Sequence, residues 1–103
     1  MQPGTPTAVG DLDTPTIQFT VRQAITRLRY CYERGLVSDP DLSGIVVVKF
    51  VIALDGAVTR ATATGVDAEV ASCVANVILG LEFPKPTGGD VEVTYPFAFE
   101  PAQ

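Results

Sequence analysis

Few residues in this 103-residue chain can do chemistry, and their types restrict what that chemistry could be. There is no histidine, so neither a serine–histidine nor a cysteine–histidine pair can form. No side chain titrates near neutrality unless its surroundings perturb it. The two cysteines, Cys31 and Cys73, are too few to complete a four-ligand zinc site. Ser38, Ser43 and Ser72 have no candidate base. Asp39 and Asp41, in the segment DPDLSG, offer a thin set of calcium ligands and read as part of a turn. No catalytic residue, no metal site and no cofactor are expected. The chain reads as non-enzymatic, and recognition is the function left to consider.

Charge narrows the partners. The formal net charge is −5, whereas nucleic-acid phosphates call for a clustered basic face. The exception is residues 17–36, where Arg22, Arg27, Arg29 and Arg34 stand against Glu33 alone. Those arginines either form a solvated polar face or meet an acidic partner or anionic polymer. The longest apolar run, residues 44–54, is interrupted by Lys49 and falls far short of the roughly 20 residues of a membrane span. Residues 1–16 lack the basic start and apolar stretch of a signal peptide. Rich in proline, threonine and glycine, they are expected to be a flexible linker tail, because such a composition buries too little apolar surface to offset its ordering entropy. The folded domain is expected over residues 17–100, with 101–103 as a second tail, and one domain suits this length.

The elements that would position any binding surface follow from periodicity. Thr20 and Gln23 stand in capping-box relation, with Phe19 and Ala24 as a weak hydrophobic staple. Val21, Ala24, Ile25, Leu28, Cys31 and Tyr32 then recur at helical spacing, and Gly35 is placed to stop the helix. Residues 45–54 are too β-branched and short to favour a helix, and Asp55-Gly56 signals a hairpin into a second strand over 57–64. Asp67 can cap a second helix over 68–81, with Val70, Cys73, Val74, Val77, Ile78 and Leu81 facing inward. The segment Phe83-Pro84-Lys85-Pro86 ends it. Residues 91–99 alternate strictly, with Val91, Val93, Tyr95, Phe97 and Phe99 on one face. The order helix, strand, strand, helix, strand predicts an α+β fold, a three-stranded antiparallel sheet with two helices on one face. If the last strand lies beside the first, the second helix is a right-handed crossover. The expected core combines Val46, Val48, Phe50, Ile52 and Leu54 with the odd-numbered residues of the last strand.

This order of elements, with SGIVVVKFVIALDGAV and LEFPKPTGGDVEVTYPFAF, resembles the C-terminal domain of TonB-family proteins. It is most similar to the version in myxobacterial gliding-motility proteins of the AgmX/Glt type. The carrying residues are RYCYERGL, Pro40-Asp41-Leu42-Ser43-Gly44, Asp55-Gly56, Cys73-Val74, Phe83-Pro84-Lys85-Pro86 and Tyr95-Pro96-Phe97. The resemblance implies a periplasmic domain at the end of an inner-membrane-anchored protein. Such a domain contacts an outer-membrane or other envelope partner, tethering it or transmitting force, in motility, uptake or secretion.

Cys31 and Cys73 fall on the apolar sides of the two expected helices, close to disulfide range if both lie on one sheet face. In the periplasm that the resemblance implies they would be bridged, constraining the unfolded chain by roughly 4 kcal/mol; otherwise they are two buried thiols. Domains of this type take up an extended segment beside the last strand. Here that edge would be formed by Glu92, Thr94, Tyr95, Pro96 and Ala98, with Pro96 directing its missing donor outward. Alternatively, Glu92 and Pro96 are there to prevent unwanted pairing. On the sheet face away from the helices, Ile45, Val47, Lys49 and Val51 offer a possible contact. Such a contact would make the domain a homodimerisation module of an envelope transport or secretion complex, or the residues simply reflect a β-branched central strand. Tyr30 and Tyr32 flank Cys31, so one should pack inward while the other is free to rest on an arginine.

Overall fold

A computed structural model describes residues 2–100. The elements run β1 (Gln2–Pro3), β2 (Thr7–Val9), α1 (Thr14–Arg22), α2 (Ile25–Ser38), β3 (Gly44–Ile52), β4 (Val58–Thr64), α3 (Ala68–Leu79) and β5 (Val91–Phe99). The class is α+β, with three helices and an antiparallel sheet of four positions among the described residues. β4 lies at one edge, then β3, then β5, and β1 and β2 share the far side of β5 in tandem.

That fourth position corrects the expected three-stranded sheet and the expected tail. Gln2 and Pro3 pair with Ala98 and Phe97, and Thr7, Ala8 and Val9 pair with Thr94, Val93 and Glu92. Pro6 is buried, and α1 already begins at Thr14. Composition misleads here because the segment is held by main-chain hydrogen bonds to β5, which need no apolar pattern of its own. The tail expected at 101–103 lies outside the described residues.

The first helix is two helices. α1 starts with Pro15 in its first turn, where the missing donor costs nothing. Thr20, expected as a cap, lies inside α1, and its hydroxyl donates back to the Thr16 carbonyl at 3.3 Å. Phe19 is 64% exposed and makes no staple. Tight i to i+3 bonds from Gln23 and Ala24 to Thr20 and Val21 bend the chain into α2. Ile17 and Val21 of α1 and Leu28, Cys31 and Tyr32 of α2 thereby enter one core. Gly35 does not stop α2, which runs on to Ser38. A methyl there would lie 2.6 Å from Val70 Cγ2 and 2.7 Å from Leu42 Cδ2, so this glycine lets the neighbouring side chains approach closely.

α3 is capped as its sequence suggests, with the Asp67 carboxylate accepting from the Glu69 and Val70 amides. It covers β4 and β3 with Val70, Ala71, Val74 and Ile78. β3 contributes Val46, Val48, Phe50 and Ile52, and β5 all five odd-numbered residues. Leu54 is a correction: at 56% exposed it lies outside the core. β3 ends at Ile52, and the Ala53–Ala57 turn follows, so alternation no longer governs where residue 54 points. α2 and α3 are joined by the Cys31–Cys73 disulfide, with Cα atoms 5.6 Å apart.

Candidate functional site

The outer side of β5 is built by parity. In an antiparallel strand the N–H and C=O of one residue face the same neighbour, and successive residues alternate. The Gly4 amide donates to the Pro96 carbonyl at 2.8 Å, so Pro96 faces away from β3. Glu92, Thr94 and Ala98 turn their main chains the same way, while Val91, Val93, Tyr95, Phe97 and Phe99 pair with β3. The side expected to be open is thus occupied by the chain's own residues 2–9. Thr7 stands opposite Thr94, Val9 opposite Glu92, and Gln2 opposite Ala98.

Pro96 determines where that pairing fails. Between Pro3 and Thr7 the N-terminal segment advances four residues while β5 advances only from Phe97 to Thr94, so the register slips by one beside Pro96. Having no N–H, Pro96 leaves no donor stranded at the break. Two glycines let the segment lie flush. A methyl on Gly4 would sit 2.8 Å from Pro96 Cγ, and one on Gly10 2.9 Å from Val91 Cγ2. Gly10 also has φ +136°, a region side chains rarely enter.

Tyr95, expected among the edge residues, is not available to a partner. Its ring is buried on the helix side, 4.7 Å from Phe97 and nearly parallel to it. Burial raises its pKa above the usual tyrosine value, partly offset by Arg22. The side chains of Glu92, Thr94, Pro96 and Ala98 instead point to the open sheet face.

That open face carries an exposed apolar side chain at each end. Ile45 is 57% exposed and Val9 67%, whereas Val47 and Val51 are half-buried. Lys49, Arg60 and Glu92 border a trough of about 520 Å³ across the middle of the sheet, and Thr7 and Val9 form one wall. On the helix side, Tyr30 is 60% exposed with Arg34 6.0 Å from its ring centre, while Tyr32 packs inward 4.8 Å from Phe99. The Tyr32 hydroxyl donates to the Leu42 carbonyl and fixes the loop after α2. In that loop the Asp39 carboxylate accepts from the Asp41 amide, a turn contact. Among the described residues no group of three or more metal-ligating side chains gathers, and no helix is long and apolar enough to cross a membrane.

Sequence reasoning missed Thr7, Ala8 and Val9 as the residues that pair with the outer side of β5. The available signal was the short β-tolerant triplet TAV between Pro6 and Gly10, too brief to separate from loop. Comparison of the chain with protein families, with curated proteins and with solved structures finds no match in any of the three.

Proposed function

We propose that this is a non-enzymatic protein-interaction domain that binds an extended segment of a partner along the outer side of β5, by exchange for its own N-terminal strand. One observation carries the reading: that edge already accepts an extended segment, held by two residues of β1 and three of β2 and interrupted at Pro96. An incoming main chain would replace these hydrogen bonds one for one, so the balance rests on side chains and on the number of residues in register. The partner competes against the resident strand, and its apparent Kd is its intrinsic Kd divided by the fraction of molecules with the edge open.

The setting we propose is the periplasm, in a TonB-like, inner-membrane-anchored protein that tethers an outer-membrane or other envelope partner or transmits force to it, with gliding motility as the process. Support comes from the motifs RYCYERGL, LEFPKP and TYPF and from the cysteine pair, which suits an oxidising compartment.

The test uses the full chain and a labelled synthetic peptide of residues 2–10. Thr7→Pro removes the donor opposite Thr94 and loosens the resident strand. The peptide should bind this variant about tenfold more tightly than the parent, the scale of one hydrogen bond. Its NMR footprint should fall on the amides of Glu92, Thr94 and Ala98. A footprint confined to the helices, or no binding to either form, contradicts the proposal.

A further inference from the structure

At the opposite edge of the sheet, among the described residues, no strand lies beside β4. By the same parity, Val47, Lys49 and Val51 turn their main chains toward β4 and pair with Thr64, Thr62 and Arg60. Ala61 and Ala63 therefore direct N–H and C=O away from the sheet, and among the described residues no strand lies on that side. Only the start of this edge is covered. The Phe83 amide donates to the Gly56 carbonyl at 2.9 Å, and Ala57 bridges Glu82. From residue 59 to residue 64, roughly 20 Å, no strand among the described residues pairs with this edge, and the stretch holds neither proline nor lysine.

Two features define what this edge would take. On the helix side, β4, the turn after it and α3 border an open groove of about 500 Å³ lined by Ala63, Val66, Asp67, Ala68, Ala71 and Ser72. Side chains directly opposite Ala61 and Ala63 would enter that groove, because residues facing each other across a ladder share a sheet face. Its alanines and Ser72 are short and leave room for branched apolar groups beside Val66. On the open face, exposed Arg60 stands opposite Val51, and Lys49 is its diagonal neighbour through Thr62. Lys49 already has Glu92 as its diagonal neighbour on β5, so Arg60, exposed on β4 itself, is the cation that favours a carboxylate on an added strand.

We infer that the β4 edge is a second strand-acceptor site, which takes an extended partner segment with branched apolar side chains at alternate positions and an acidic residue between them. This surface is independent of the β5 edge, and either can fail alone.

The probe is a random heptapeptide library displayed on phage, panned against the full chain. Enriched peptides should alternate apolar and polar residues with an acid among the latter. A synthetic representative should perturb the amides of Ala61, Ala63, Ala68, Ala71 and Ser72. Ala63→Pro removes an outward-facing donor without touching the ladder to β3, and should weaken binding about tenfold. Arg60→Glu, on the exposed face, should weaken acidic peptides and favour their lysine-substituted counterparts, a readout that holds even if the proline variant misfolds. Three results overturn the proposal: no enrichment, footprints confined to residues 92–98, or β4 shifts that grow with protein concentration without peptide. The last would mark the edge as a contact between copies of this chain.

Discussion

Breaking the Cys31–Cys73 bond is the perturbation with the largest effect worked from the structure. The bond spans a sequence separation of 42 and ties α2 to α3 across the helical layer. The chain-entropy relation gives about 4 kcal/mol for a loop of that length. Against a total of roughly 5–15 kcal/mol for a domain, that is a large share. With a urea dependence of about 1–3 kcal/mol per molar, the unfolding midpoint should fall by about 1.3–4 M. The assay is urea unfolding followed by circular dichroism, comparing the oxidised protein with the Cys31→Ala/Cys73→Ala variant and with reduced parent. The variant also loses two small side chains, so the reduced parent, which keeps both sulfurs, isolates the cross-link. Agreement between the two to within about 1 kcal/mol is expected, since only Cys31 is fully buried. A midpoint shift below about 0.3 M on reduction would refute the reasoning, because the loop would then be constrained in the unfolded state by something else.

Gly56→Ala should be strongly destabilising, by about 2–4 kcal/mol, since the new methyl would meet the Phe83 carbonyl oxygen at 2.1 Å and the position has φ +85°; thermal melting measures it. Ile52→Ala should cost about 2–5 kcal/mol, whereas Leu54→Ala should stay within about 0.5 kcal/mol, because the first side chain is fully buried and the second largely exposed. Equal losses would restore Leu54 to the core. The Tyr32 pKa is raised, first by burial and then by Glu100 and Asp39. The unfolded chain therefore deprotonates first, and stability is full below the ordinary tyrosine pKa and falls as pH rises above it. Tyr32→Phe should lower stability near neutrality by about 1 kcal/mol through the lost bond to Leu42 and make the alkaline decline shallower. Unfolding titrations from neutral to strongly alkaline pH compare the two slopes, and an unchanged slope contradicts this assignment.

What could be read from the residues depended on how local the governing interaction is. β5 was fully legible because strict alternation from Val91 to Phe99 has one physical interpretation, a strand buried on one face. α3 was legible because Asp67 caps it through contacts within three residues. Thr20 and Gln23 have the spacing of a cap, yet Ile17 and Val21 bury against the core, and that burial extends a helix through them. Gly35 carries the signature of a helix end, and only the approach of Val70 and Leu42 explains it otherwise. The candidate site was half legible. Pro96 indicated which side of β5 faces away from β3, because a proline cannot donate to the central ladder, and its missing donor falls at the break between β1 and β2. What lies on that side was not legible, because β1 and β2 are recruited through main-chain groups that every residue possesses.

The occupied edge of β5 is tested most directly by hydrogen exchange, amide by amide, on the full chain. Glu92, Thr94 and Ala98 should exchange at least about tenfold more slowly than an unstructured peptide, yet faster than Val93, Tyr95 and Phe97, which bond to β3. The amide of Gly4 should share their intermediate rate. Exchange of Glu92, Thr94 and Ala98 at the unstructured rate would contradict an N-terminal strand on this edge.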